Sequence, residues 1–218
     1  MASRVVIIAG ATGLVGKEIL EGLLADNSVA MVHCLGRRAP TIQHAKLVYH
    51  IVDFAELPAL PPANEAYLAL GTTIKTAGSQ EAFRAIDLDA SLAVAKAALM
   101  AGVTKVGLVS AMGADHRSMI FYSRVKGELE HALSQMPFEG LVIARPSMLV
   151  GNRETIGQPI RRGEVLASML GGIFNALIPA NYKPVKAVAV AKTLLATVPV
   201  AQGKLILLSG SMGQFKQR

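Results

Sequence analysis

The stretch Val5-Val6-Ile7-Ile8-Ala9-Gly10-Ala11-Thr12-Gly13-Leu14-Val15-Gly16 decides the fold. Its first residues form an apolar, strand-like run, and the run from Leu14 to Leu24 reads as a helix. The three glycines therefore lie in a strand-to-helix turn. Glycine lets such a turn close tightly and lets a pyrophosphate approach the backbone. The helix N-terminus offers free N–H groups and a favourable dipole to negative charge. Gly10, Thr12, Gly13, Leu14, Val15 and Gly16 are thus expected to cradle the diphosphate of a dinucleotide.

Outward from this turn, strands and helices alternate. Further strands are predicted at 29–35, 46–52, 66–70, 103–109, 141–144 and 204–208. Helices are predicted from Ser79, as N-cap, to about residue 101, where Gly102 ends the run, and at 117–135, 160–177 and 185–197. Pro58, Pro61 and Pro62 mark a surface loop. This alternation predicts an α/β Rossmann fold: a doubly wound parallel sheet with helices on both faces. We expect one domain over 1–218, with 146–218 contributing a small substrate-side region. Ligands of such sheets bind beyond the carboxyl ends of the strands. Gly10, Gly36, Asp53, Gly71, Ser110 and Arg145 all fall at or just past predicted strand ends.

Composition narrows the function classes. The 218 residues are 52% hydrophobic, as a sheet buried on both faces requires. No apolar stretch reaches the roughly 18 residues of a membrane helix, so no membrane partner is expected. The net charge of +7 raises the question of nucleic acid. The basic residues are scattered singly or in pairs without aromatic interleaving, so nucleic acid is not expected. The five histidines lack metal-ligand spacing, and the one cysteine, Cys34, reads as a buried hydrophobe. No metal is expected. The N-terminus enters a strand directly, without a signal peptide, and cytoplasmic residence is the default expectation.

The cofactor choice rests on the segment about 20 residues past the glycine turn, where a carboxylate selects NAD. Here it reads Leu35-Gly36-Arg37-Arg38. Arginine grips a 2′-phosphate that an acid would repel, so Arg37 and Arg38 point to NADP(H). Asp53 and Phe54, just after the third strand, are placed to meet the adenine; alternatively Asp53 caps its own loop.

Tyr122-Ser123-Arg124-Val125-Lys126 carries the chemistry. Tyr and Lys at i and i+4 share one helix face. A nearby ammonium favours a phenolate, and the same lysine can hydrogen-bond a nicotinamide ribose. Ser110, at the end of the fifth strand, is placed to hold a carbonyl oxygen.

Taken together, the glycine turn, Ser110 and the Tyr-x-x-x-Lys helix resemble the short-chain dehydrogenase/reductase superfamily over nearly the whole chain. The likeness is greatest to its small atypical members, the Tat-interacting-protein-like oxidoreductases and their bacterial relatives. Leu35 to Arg38, Leu70-Gly71-Thr72-Thr73, Ser110 to Asp115, Tyr122 to Glu128 and Arg145-Pro146-Ser147 carry it. The resemblance implies an NADP(H)-binding Rossmann fold with Ser110, Tyr122 and Lys126 as catalytic residues. It implies that Leu70, Gly71, Thr72 and Thr73 pass beside the cofactor, and that Arg145, Pro146 and Ser147 lie beside the nicotinamide.

Two departures stand out. Many members carry an Asn in the helix after the fourth strand, where this chain has Asp87, and the second serine after the fifth strand is Ala111. The expected function is reduction of a small-molecule carbonyl substrate by hydride transfer, in a monomer or homodimer. The alternatives are an NADPH-sensing binding protein with little catalysis and a sugar-nucleotide epimerase-like enzyme. Arg153, Arg161 and Arg162 either line a site for an acidic substrate or end exposed helices. Met169 and Phe174 fit a core-facing stripe, and Tyr182 either covers the cleft or packs at a loop.

Overall fold

The computed structural model describes residues 3–38, 42–150 and 179–212. Strand β1 (Arg4–Ala9) passes through the glycine turn into helix α1 (Leu14–Ala25). Next come β2 (Val29–Gly36), β3 (Leu47–Ile51), β4 (Glu65–Leu68) and the short helix α2 (Ile74–Ala77). Helix α3 (Gln80–Arg84) continues through a π-helical turn (Ala85–Asp89) into α4 (Ala90–Met100). Then follow β5 (Lys105–Val109), α5 (Phe121–Ser134), β6 (Gly140–Arg145) and the two-residue strands β7 (Leu149–Val150) and β8 (Val185–Lys186). Helix α6 (Ala187–Thr197) and strand β9 (Gly203–Leu208) follow, with short 3₁₀ turns at Ala180–Tyr182, Val198–Val200 and Ser209–Ser211.

Among the described residues, seven strands form one sheet in the order β3-β2-β1-β4-β5-β6-β9, and all pairings in it are parallel. Successive side chains of a strand face opposite sides. Val6 and Ile8 of β1 pack with Ile19 and Leu23 of α1 and Val190 and Leu194 of α6. Ile7 and Ala9 pack on the other face with Val94 and Ala98 of α4 and Val125 and Leu129 of α5. Both faces are therefore covered by helices, which is the doubly wound Rossmann arrangement. Strand order reverses between β1 and β4, and the crevice at that reversal is where ligands of such folds bind. At the opposite end of these two strands, Arg4 grips Glu65 with Nε–Oε1 at 2.6 Å and Nη2–Oε2 at 2.8 Å.

Most predicted boundaries lie within two residues of the observed ones; the end of β4, the start of α5 and the interior of the Ser79 helix show where local structure departs from the pattern. β4 ends at Leu68 rather than residue 70, because its neighbour β1 has already turned away at Gly10. Helix α5 starts at Phe121 rather than 117. Asp115 Oδ1 accepts the Arg117 N–H at 2.9 Å and Ser118 Oγ accepts the Ile120 N–H at 3.1 Å, so local side-chain bonds hold these residues in turns. The helix predicted from Ser79 does start there, with Ser79 Oγ accepting the Ala82 N–H at 3.1 Å. It closes at Gly102, φ +88°, through Gly102 N–H to Leu99 O and Val103 N–H to Ala98 O, a Schellman ending. Its continuity is broken by the π turn, which sequence periodicity did not reveal. The helix expected over 160–177, with Met169 and Phe174, and the residues Arg153, Arg161 and Arg162 lie outside the described residues.

Candidate active site

The glycine turn is shaped by close backbone approach. Gly10 has φ +89°, and a Cβ there would overlap the Ala69 carbonyl and lie 2.6 Å from Leu70 N. A Cβ on Gly16 would overlap the Gly10 carbonyl oxygen. The turn is therefore pressed onto the segment leaving β4 and admits no side chain at either position. Gly13 is the N-cap of α1; no side chain caps the helix, and its first turn holds no acidic residue. Amide donors and the positive end of the helix dipole thus point at the crevice with no internal counter-charge. This geometry fits a diphosphate. Thr12 is exposed, whereas Val15 is buried in the layer beneath α1, so Val15 offers the crevice its backbone only.

Arg37 and Arg38 are exposed just past β2. The Arg38 carbonyl accepts the Tyr49 hydroxyl, which anchors the end of this segment to β3. Asp53 caps its own loop, its Oδ1 accepting the Ala55 N–H at 2.9 Å. Phe54 and Leu70 pack on the layer beneath α4 and α5. Gly71 is exposed, and Thr73 Oγ1 caps α2 by accepting the Thr76 N–H at 3.0 Å.

Ser110 lies at the end of β5, while Tyr122 and Lys126 stand one turn apart on α5. The Tyr122 ring packs on Phe83 of α3, centroids 5.6 Å apart. Lys126 is buried, and its Nζ lies 2.6 Å from Asp87 Oδ1. Asp87 belongs to the π turn, is fully buried, and also accepts the Thr72 N–H at 2.9 Å through Oδ2. π turns inside α-helices recur at functional sites.

Ser110 Oγ donates to Glu130 Oε1 at 2.5 Å. Glu130 is buried and is also gripped by Arg145, with Nε–Oε1 at 3.0 Å and Nη2–Oε2 at 2.5 Å. With its hydrogen directed at this carboxylate, the Ser110 oxygen presents lone pairs, so in this arrangement it does not donate to a carbonyl oxygen, contrary to the expectation from its place in the sequence. The Arg145 guanidinium is likewise engaged. Ser147 ties loops together: its N–H donates to Ser209 Oγ at 2.8 Å and its hydroxyl to the Lys183 carbonyl at 2.6 Å. The Pro146 carbonyl accepts the Met112 N–H at 2.9 Å. The segment 145–147 is therefore held by other protein groups, and what it can turn toward the crevice is mainly backbone. Tyr182 is exposed in a short 3₁₀ turn.

Sequence reasoning missed Glu130 altogether and, for Asp87, missed its partner. Glu130 follows Tyr122 and Lys126 at the same four-residue spacing, a signal that was there to find. Nothing local marked Asp87 as the partner of Lys126.

One loop joins the two halves of the site. Residues 69 and 70 press on Gly10, while a Cβ on Gly71 would lie 3.7 Å from Lys126 Nζ. The glycine turn and the lysine thus flank the same short segment, residues 69–71. Among the described residues, no group of three or more His, Cys, Asp or Glu side chains is arranged to hold a metal.

No family model matches the chain. The protein named fmp52-1, mitochondrial, of Aspergillus terreus is 34% identical over 221 residues, 94% of this chain and 95% of its own. The protein HTATIP2 of Rattus norvegicus is 34% identical over 179 residues, 79% of this chain and 72% of its own. Among solved structures, the Thermus thermophilus UDP-glucose 4-epimerase complex with NAD superposes with a TM-score of 0.68 at 18% identity, over 94% of this chain and 77% of that one. The mitochondrial naming of the fmp52 relatives overturns the cytoplasmic expectation. One buried thiol is compatible with either compartment, so composition had no power to separate them.

Proposed function

Because this chain belongs to the family of the fmp52 proteins and HTATIP2, among the atypical short-chain dehydrogenases/reductases, we propose that it is an NADP(H)-dependent oxidoreductase that reduces a small carbonyl substrate. The observation that carries the proposal is the loop 69–72, which presses on Gly10 at one end and at the other passes Lys126 and is tied to it through Asp87. It supports reading the glycine turn and the Tyr122–Lys126 face as parts of one crevice.

A bound NADPH would supply the hydride; the protein's share is binding, positioning and proton delivery. The amides around Gly13 hold the diphosphate, and Arg37 and Arg38 take the 2′-phosphate. Lys126 orients the nicotinamide ribose. Tyr122, its ring braced by Phe83, gives its hydroxyl proton to the substrate oxygen. Ser110, whose hydroxyl donates to Glu130, offers the crevice lone pairs and not the donor that holding a carbonyl oxygen requires. The mitochondrial names of the relatives support a mitochondrial setting.

The test is NADPH oxidation over a panel of small aldehydes and ketones, with wild type and Tyr122→Phe. Loss of turnover in the variant with nucleotide binding retained is expected. An active wild type whose rate survives the substitution removes Tyr122 from the chemistry. A second reading, a nucleotide sensor with little turnover, is favoured by the engagement of both Lys126 and Ser110 with buried carboxylates. It requires NADPH binding, no turnover with the panel, and a partner affinity that changes with nucleotide.

A further inference from the structure

Asp87 is fully buried, yet each of its oxygens faces a different part of the site. Oδ1 lies 2.6 Å from Lys126 Nζ on α5, and Oδ2 accepts the Thr72 N–H at 2.9 Å. Gly71 is bare beside both groups: a Cβ there would lie 3.5 Å from Asp87 Oδ1 and 3.7 Å from Lys126 Nζ. One turn earlier, Phe83 packs on Tyr122. The rod from α3 to α4 thus supports α5 at two successive rungs, aromatic at Tyr122 and ionic at Lys126. The π turn supplies the second rung, since Asp87 lies within it.

We propose that Asp87 is a positioning residue that clamps Lys126 to the loop 70–73, so that lysine and loop meet the nicotinamide half of a bound dinucleotide as one rigid surface. This rests on the dinucleotide reading of the preceding subsection. The physical reason is preorganisation. A free lysine has a long flexible stem whose ordering opposes binding, and a clamped one has lost that freedom before the ligand arrives. The loop gains equally, because the Thr72 amide has its acceptor in place. An uncharged Asn at this position still accepts from Thr72 but offers the ammonium no charge.

The test compares wild type and Asp87→Asn by titration calorimetry with two matched pairs of probes: NADPH against adenosine 2′,5′-bisphosphate, and NADH against ADP. The fragments keep the adenosine end and lack the nicotinamide ribose. Asp87→Asn is expected to bind the whole dinucleotide about tenfold more weakly, the loss of one charge-assisted contact, with fragment affinity unchanged. Equal losses for fragment and dinucleotide mean that Asp87 merely supports the fold and overturn the proposal. No loss for either overturns it too. A measurement on wild type stands independently of how the variant folds: in the free protein the Thr72 amide should resist hydrogen exchange, although Gly71 beside it is exposed. Exchange of Thr72 at the rate of an open loop overturns the clamp. These outcomes need no turnover, so they are separate from a failure of the reductase reading, which would appear in the carbonyl panel.

Discussion

Ser110 and Glu130 share a buried hydrogen bond of 2.5 Å, and the same carboxylate is gripped by Arg145. A residue at the carboxyl end of β5 is thereby tied to the third turn of α5 and to the end of β6. Removing the carboxylate strands a largely buried guanidinium. Glu130→Ala should lower stability by about 3 kcal/mol, the scale for breaking one side of a buried ion pair. Urea unfolding followed by circular dichroism measures this, and an unchanged midpoint would show that Arg145 finds another partner.

Gly16 faces the Gly10 carbonyl with no room for a methyl group. Gly16→Ala should force the turn apart, at about 1–3 kcal/mol of strain, and abolish the stabilisation that NADPH gives. Melting curves with and without nucleotide report both effects. A variant that melts like wild type and still responds to NADPH contradicts the phosphate-cradle assignment.

Arg37 and Arg38 are exposed past β2. If one of them holds the 2′-phosphate, NADPH should raise the melting temperature more than NADH does. Arg37→Ala should then weaken NADPH binding about tenfold and leave NADH untouched. Equal responses to the two nucleotides in wild type dispose of the arginine argument.

His33 Nδ1 and His50 Nε2 lie 3.0 Å apart on neighbouring strands β2 and β3. Burial, and then the neighbouring His50, hold the His33 pKa below its ordinary value of 6.5. The unfolded chain therefore binds more protons than the folded one below that value, and stability rises with pH there. The contribution is complete above about pH 6.5, declines as the pH falls, and levels off below the folded-state pKa. Melting temperatures between pH 5 and 8 should show this acid-side loss. His33→Gln should flatten it, and an identical slope in the variant assigns the loss to other groups.

Cys34 is buried in the layer beneath α1, and burial pushes its thiol up to about 12. It should resist iodoacetamide in the folded protein and react on unfolding. Labelling in a urea series checks this, since the chain has no other cysteine. Rapid alkylation without denaturant is the contrary result.

The amino-acid sequence by itself determined the features that depend on neighbours along the chain. The glycine turn, the alternation of strands and helices, the Ser79 cap and the Gly102 ending are local: their hydrogen bonds join residues a few positions apart, so composition and spacing carry them. The burial of Cys34 was legible too, because it sits in an apolar strand of a sheet covered by helices. The Tyr122–Lys126 face followed from helical periodicity. Only the tertiary structure decided what those groups are tied to. Glu130 lies 20 positions from Ser110 and 15 from Arg145, and the parallel order of β5 and β6 brings the three together. Lys126 meets Asp87 because α5 packs against the π turn, a departure from the helical period that single-residue propensities do not encode. The same limit applies to Asp53: its bond from the Ala55 amide is local, whereas a contact with a bound nucleotide depends on the assembled crevice. Sequence patterns specify faces and turns; which buried charge answers which depends on how elements distant in the chain stack, and that is set by packing in three dimensions.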